Sequence, residues 1–379
     1  MTERKDPSGE LAAWLALAHV AGIGGSLRQR LLDHFGSAEA VIQAPDRELA
    51  ALDVAPEARA DLHAPDWAAV EAEMRWAEGP AHHLLRESDP RWPPLLRQIP
   101  DPPPLLYCHG DPTHLRDPGL AMVGSRNPTR GGRETAHDFA EALSKMGLVI
   151  TSGLAMGVDA AAHQGALDAG GPTIAVMGTG PDVIYPRRNA ELAAAIADSG
   201  CLVSEHPPGT QARRGHFPRR NRIIAGLSLG TLVIEAALRS GSLITARLAA
   251  EQGREVFAVP GSIHNPLARG CHRLIRAGAK LVESTDDILE ELRGIASLAD
   301  ELDLAPADPD TAARQSSGHS RSDPAYESLL EAVDFSPTPV DRIIERSGLT
   351  AASVSSMLLM LELEGRVESA PGGRYIRRN

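Results

Sequence analysis

Short apolar runs separated by longer mixed segments dominate the middle of the chain. Residues 120–124, 148–151, 173–177, 201–204, 231–234, 256–259 and 280–282 are each near-continuously apolar. Strands buried on both faces read this way, whereas half-solvated strands alternate. Helix-length segments lie between most of these runs. The alternation predicts an α/β fold, an extended Rossmann-type doubly wound parallel sheet. Residues 105–108 are a further short-strand candidate.

The flanks follow other patterns. Residues 11–20 predict an apolar helix, then Gly22-Ile23-Gly24-Gly25, then a second helix over 27–35. Such a helix-hairpin-helix unit holds a phosphate on its turn, or its glycine turn is purely structural; Arg28 and Arg30 add little. A proline-rich stretch over 86–118 should be extended. Residues 294–324 are poor in apolar side chains and read as a linker. Helices over 326–333, 339–347 and 351–364, then strands at 366–369 and 374–377, predict a winged helix. Its would-be recognition helix has no Lys or Arg, which favours packing or a partner over the major groove. The expected domains are a helical domain over 1–82, the sheet domain over 83–295, the linker over 296–322 and the winged helix over 323–379.

Charge then changes the picture. The 379-residue chain carries a net charge of −12, yet Arg213, Arg214, Arg219, Arg220 and Arg222 fall within ten residues. Any contact with a polyanion must be a focused patch; the alternative is a solvated helix start. Three well-separated cysteines, none in CxxC spacing, argue against disulfides and a structural zinc site. With no apolar run long enough for a bilayer and a polar N-terminus, the chain is expected to be cytoplasmic.

The candidate chemistry gathers where strands end. Gly124-Ser125-Arg126-Asn127 follows the first main strand and suits an anion, or is a plain turn. Gly153 lies in the glycine-rich stretch after the second. There Asp159 and His163, four apart, suggest acid–base machinery or a helix-stabilising contact. Gly178-Thr179-Gly180 lacks the third glycine of a dinucleotide fingerprint, and no P-loop occurs. Tyr185-Pro186-Arg187-Arg188 adds two arginines. Ser240-Gly241-Ser242 opens a later helix, as an anion site or an ordinary cap. One parallel sheet gathers such ends on one edge, enough for several phosphates in a row. Phe217 among the arginines suits base stacking, or belongs to the core.

The ordered set VGSRNPT, SGLAMGVDAAAH, IAVMGTGPDVIYPRRN, SEHPPG, GHFPRRNRIIAGLS, VIEAALRSGSLITA and FAVPGS resembles the DprA (Smf) family of bacterial DNA-processing proteins. The resemblance spans roughly residues 84–293, and the flanks match a SAM-like helical domain and a C-terminal winged helix. It implies single-stranded DNA binding, homodimerisation and recruitment of RecA recombinase in natural transformation, with no catalytic residue, metal or cofactor. It implies phosphate contact by Arg126, and base stacking by Phe217. Arg214 and Arg187 stand where the family often has lysine. Arg219, Asn221 and Arg222 belong to the same core motif. Gly226, Gly230, Thr231 and Glu235 also resemble a segment of the lysine-decarboxylase-like nucleoside-monophosphate phosphoribohydrolases. On that alternative the chain is an enzyme; otherwise Glu235 is expected to orient the arginines.

Overall fold

The computed structural model describes residues 7–292 and, beyond them, 329–330, 332–333, 338–350, 354, 357–358, 361–362, 366–370 and 374–377. The chain divides into two compact units, Met1–Leu298 and Ala299–Asn379.

The first unit opens with α1 (Pro7–His19), α2 (Gly25–Phe35), α3 (Ala38–Gln43), α4 (Asp46–Ala51), α5 (Pro56–His63) and α6 (Trp67–Ala77). Leu17, Leu31, Val41, Leu49 and Leu62 share one core among them. The turn between α1 and α2 needs Gly22, whose φ is +85°. The two arginines beside it are spent locally. Arg28 Nη2 donates to the Ile23 carbonyl at 3.0 Å, and Arg30 Nη2 to the Leu52 carbonyl at 3.1 Å. A second apolar cluster ties the helices to the sheet: Leu15 and Val70 pack with Leu105 and Tyr107. The Tyr107 hydroxyl donates to Glu73 Oε2 at 2.6 Å.

The sheet then builds in chain order from β1 (His82–Leu85), α7 (Pro94–Arg97), β2 (Leu106–Gly110), β3 (Gly119–Val123), α8 (Arg130–Lys145), β4 (Val149–Ser152), α9 (Val158–Asp168) and β5 (Thr173–Val176). It continues with α10 (Ala190–Ser199), β6 (Cys201–Ser204), α11 (His216–Gly226), β7 (Gly230–Val233), α12 (Ser242–Glu251), β8 (Glu255–Ala258), α13 (Arg269–Arg276) and β9 (Lys280–Leu281). The nine strands run in the order β1-β2-β6-β5-β4-β3-β7-β8-β9. The apolar runs of the sequence are the parallel strands β3 to β9. The edge differs from the expected purely parallel sheet, because β1 and β2 pair antiparallel, as do β2 and β6. β1 had no clear pattern: His82 and His83 interrupt it and only Leu85 is fully buried.

Helices cover both faces. Ile223, Ile224, Ala246 and Cys271 pack on one side, and Ala136, Ala140, Leu143, Val158 and Ala162 on the other. Strand order reverses at β3: the chain steps outward through β4, β5 and β6, then returns to place β7 on the opposite flank. The crevice outside the carboxyl ends of β3 and β7 is where such a fold takes its ligand.

In the second unit, β10 (Thr338–Pro339), α14 (Val340–Ser347), β11 (Val367–Ala370) and β12 (Arg374–Arg377) surround a core of Leu330, Val333, Ile343, Leu358 and Val367. β12 pairs antiparallel with both other strands. The expected linker over 296–322, residues 326–328, the wing turn over 371–373 and Arg378 lie outside the described residues. So does most of the expected recognition helix over 351–364.

Candidate nucleic-acid interface

The arginine-rich stretch becomes α11, and helical phase sends its cations to different depths. Arg214 precedes the helix and is exposed. Arg219 keeps 60% of its side chain exposed and reaches Glu205 at 3.6 Å. Arg222 is buried, with Nη1 and Nη2 donating to the two Glu205 carboxylate oxygens at 2.8 and 2.7 Å and Nε to the Asp101 carbonyl at 2.8 Å. Its donors are thus committed to the fold. Arg220 is 5% exposed and donates through Nη1 to the carbonyls of Gly153 and Val176.

Gly153 is likewise placed beneath the surface. A Cβ there would stand 2.4 Å from Arg220 Nη1, so the glycine makes room for that guanidinium. Its N–H donates to Asp159 Oδ2 at 3.1 Å, as does the Ala155 N–H at 3.4 Å. His163 Nδ1 instead meets Thr173 Oγ1 at 2.8 Å. Asp159 and His163 thus turn to separate partners, in place of the expected mutual contact.

After β3 the backbone makes a tight turn. The Ser125 N–H donates to the Glu235 carbonyl at 2.7 Å, and the Asn127 N–H to Ser125 Oγ at 3.1 Å. Gly124 is required because a Cβ would meet Val158 Cγ2 at 2.6 Å. Thr129 caps α8 through Oγ1, which accepts from the Gly132 N–H at 3.0 Å. Glu235 takes up the other side of that cap. Its carboxylate accepts from the Thr129 N–H at 2.8 Å, Thr129 Oγ1 at 2.7 Å and Asn265 Nδ2 at 3.1 Å. The expectation that Glu235 orients the arginines is overturned; it braces two loops.

Gly124, Ser125, Arg126, Asn127, Arg214, Phe217, Asn221, Ser240, Gly241 and Ser242 all line one groove of about 720 Å³. Arg187 is exposed but does not line it, and neither do Gly153, Arg219 or Arg222. The groove has a single dominant sign: Arg126, Arg214, Arg220 and Arg239 against Asp159 alone. Arg239 and Tyr185 were not foreseen. A cleft of about 810 Å³ between α2 and the prolines at 100 and 102–104 mixes Glu10, Glu87 and Asp101 with its arginines and lacks that asymmetry.

Phe217 is half-buried at the rim. Its ring lies over bare Gly178, where a Cβ would stand 2.8 Å from Cδ1. The Tyr185 ring, half exposed, is 5.4 Å away and tilted by 42°. His206 stacks on His216, the residue before Phe217, with centroids 4.1 Å apart, and burial pulls the His206 pKa down to about 4.

Residues 83–293 match the family model for DNA recombination-mediator protein A. The chain belongs to that family. A DprA winged helix model matches residues 305–373. Protein Smf of Escherichia coli is 45% identical over 312 residues, covering 81% of this chain and 80% of its own. Protein Smf of Synechocystis is 38% identical over 97% of this chain and 99% of its own. The X-ray structure of DprA from Streptococcus pneumoniae superposes with a TM-score of 0.65 at 39% identity, covering 74% of this chain and 97% of that one. DprA from Helicobacter pylori, described for its single-stranded DNA binding mode, gives 0.51 at 31% identity over 56% of this chain and 96% of that one. The relatives from Bacillus subtilis and Streptococcus pneumoniae are named DNA processing protein DprA. Among the described residues no helix is long and apolar enough to cross a membrane.

Proposed function

We propose that the groove at the carboxyl ends of β3 and β7 holds a run of single-stranded DNA, and that the protein helps load RecA onto it in natural transformation and recombination. The observation that carries this reading is the four-arginine lining with an aromatic rim on a chain of net charge −12. A polyphosphate track beside stacking rings suits a strand whose bases are free, because every base has a π-face. Arg126 and Arg214 hold phosphates, Phe217 takes a base, and the Ser240–Ser242 hydroxyls and the start of α12 border the track. The single-stranded DNA binding described for the Helicobacter pylori relative supports the same assignment.

The reading includes homodimerisation in the cytoplasm. Exposed apolar side chains such as Ile263, 72% exposed, and Leu281, on the edge strand β9 and 46% exposed, are available for such a contact. The phosphoribohydrolase alternative loses its base, since Glu235 is committed to Thr129 and Asn265 and does not line the groove.

The test is RecA filament nucleation on SSB-coated single strands. The protein should shorten the lag; an unchanged lag contradicts the loading role.

A further inference from the structure

Arg220 is the least expected cation of the groove. It is 5% exposed, yet it lines the groove. Its hydrogen bonds to protein all leave from Nη1, toward the Gly153 and Val176 carbonyls. Nε has no partner. An arginine fork carries five N–H donors, and leaving them unspent in a buried site costs several kcal/mol.

The surroundings do not balance that charge. Asp159 acts on Arg220 only through space, and its Oδ2 already accepts from two backbone N–H groups. Burial is the main reason the Arg220 pKa comes down to about 10; Asp159 opposes the fall and Arg126 adds to it. Two guanidiniums thus stand within each other's field, Arg126 exposed after β3 and Arg220 buried at the ends of β4 and β5, where its Nε has no partner. Only a glycine at 153 lets the buried fork lie there. The cost is maintained by structure rather than relieved by it.

We infer that buried Arg220 and exposed Arg126 together form a fixed seat for one interior phosphodiester of the bound strand. This rests on the single-strand reading of the groove. A phosphodiester carries one negative charge on two oxygens, which matches a forked donor, and it relieves the like-charge pair. The other arginines are exposed and bind phosphate loosely; this seat sets the register of the strand. A free nucleotide phosphate offers similar chemistry, so the test separates the two sources.

The probe is a dodecathymidylate whose linkages are neutral methylphosphonates, with or without one central phosphodiester. The strand can slide to bring that single charge to its seat. In the wild type the one charge should raise affinity at least about tenfold, and in Arg220→Lys less than about threefold. An equal gain in both proteins, or a gain below threefold in the wild type, overturns the seat. Failure of the wild type to bind ordinary dodecathymidylate would sink the single-strand reading itself. If thymidine 5′-phosphate competed at concentrations below the probe's own Kd, the seat would belong to a free nucleotide and the inference would fall. Should Arg220→Lys fail to fold, wild-type crystals soaked in inorganic phosphate decide: an anion within hydrogen-bonding distance of Arg220 supports the seat, and any other result overturns it.

Discussion

Arg222 and Glu205 meet in a two-pronged ion pair, with only 9% and 5% of their side chains exposed. The pair joins α11 to the loop after β6. Removing one partner leaves a buried charge unmatched, at a cost of roughly 3–5 kcal/mol. Arg222→Ala should therefore lower the urea midpoint by that equivalent. Loss of DNA affinity with wild-type stability would instead make Arg222 a contact residue.

Acid should act in two steps. Burial pulls His163 to about 3, below the ordinary 6.5, and the Arg220 charge adds to this. The unfolded chain takes that proton first, so stability falls as pH drops from about 6.5 toward 3. His206, at about 4, acts in the same window. Burial pushes the Glu205 carboxyl up, but the hydrogen bonds and charge of Arg222 outweigh it and hold the group below its ordinary value. Its contribution is complete above about 4.5 and is lost as pH falls through the folded-state value. Thermal midpoints against pH should lose part of their slope between 6.5 and 4.5 in His163→Gln. An identical slope contradicts the assignment.

Phe217→Ala should weaken binding to oligothymidylate by about 1–3 kcal/mol, the usual worth of one stacked base. Tyr185→Ala should weaken it less, since Tyr185 backs the platform from the side. Fluorescence anisotropy checks both. Full affinity in Phe217→Ala would return that ring to a packing role.

Glu235→Gln should cost about 1–2 kcal/mol of stability, because the carboxylate completes the start of α8 through Thr129. Neither protein should release free base from nucleoside monophosphates. Release by the wild type that vanished in the variant would restore the enzymatic reading.

The strands were legible because burial on both faces leaves an unbroken apolar run, as in 173–177 and 201–204. The strand ends, and with them Gly124–Asn127 and Ser240–Ser242, followed from the parallel topology. Depth was not legible. Arg219, Arg220 and Arg222 are close neighbours in sequence, but the phase of α11 against Gly153 and Glu205 decides which one meets solvent. The same limit hid Tyr185, whose position depends on a ring 32 residues away in sequence. It also misread Asp159 with His163, since helix spacing places neighbours without showing that Asp159 is taken by the loop before α9 and His163 by Thr173 on β5.

The most direct measurement is the affinity of Arg126→Ala/Arg214→Ala for oligothymidylate over a salt series. Both side chains are exposed, so the fold should be retained. Wild-type affinity should fall linearly in log–log form as salt rises, and the double variant should bind more than about tenfold more weakly with a shallower slope. Wild-type affinity and slope in the double variant would contradict the groove.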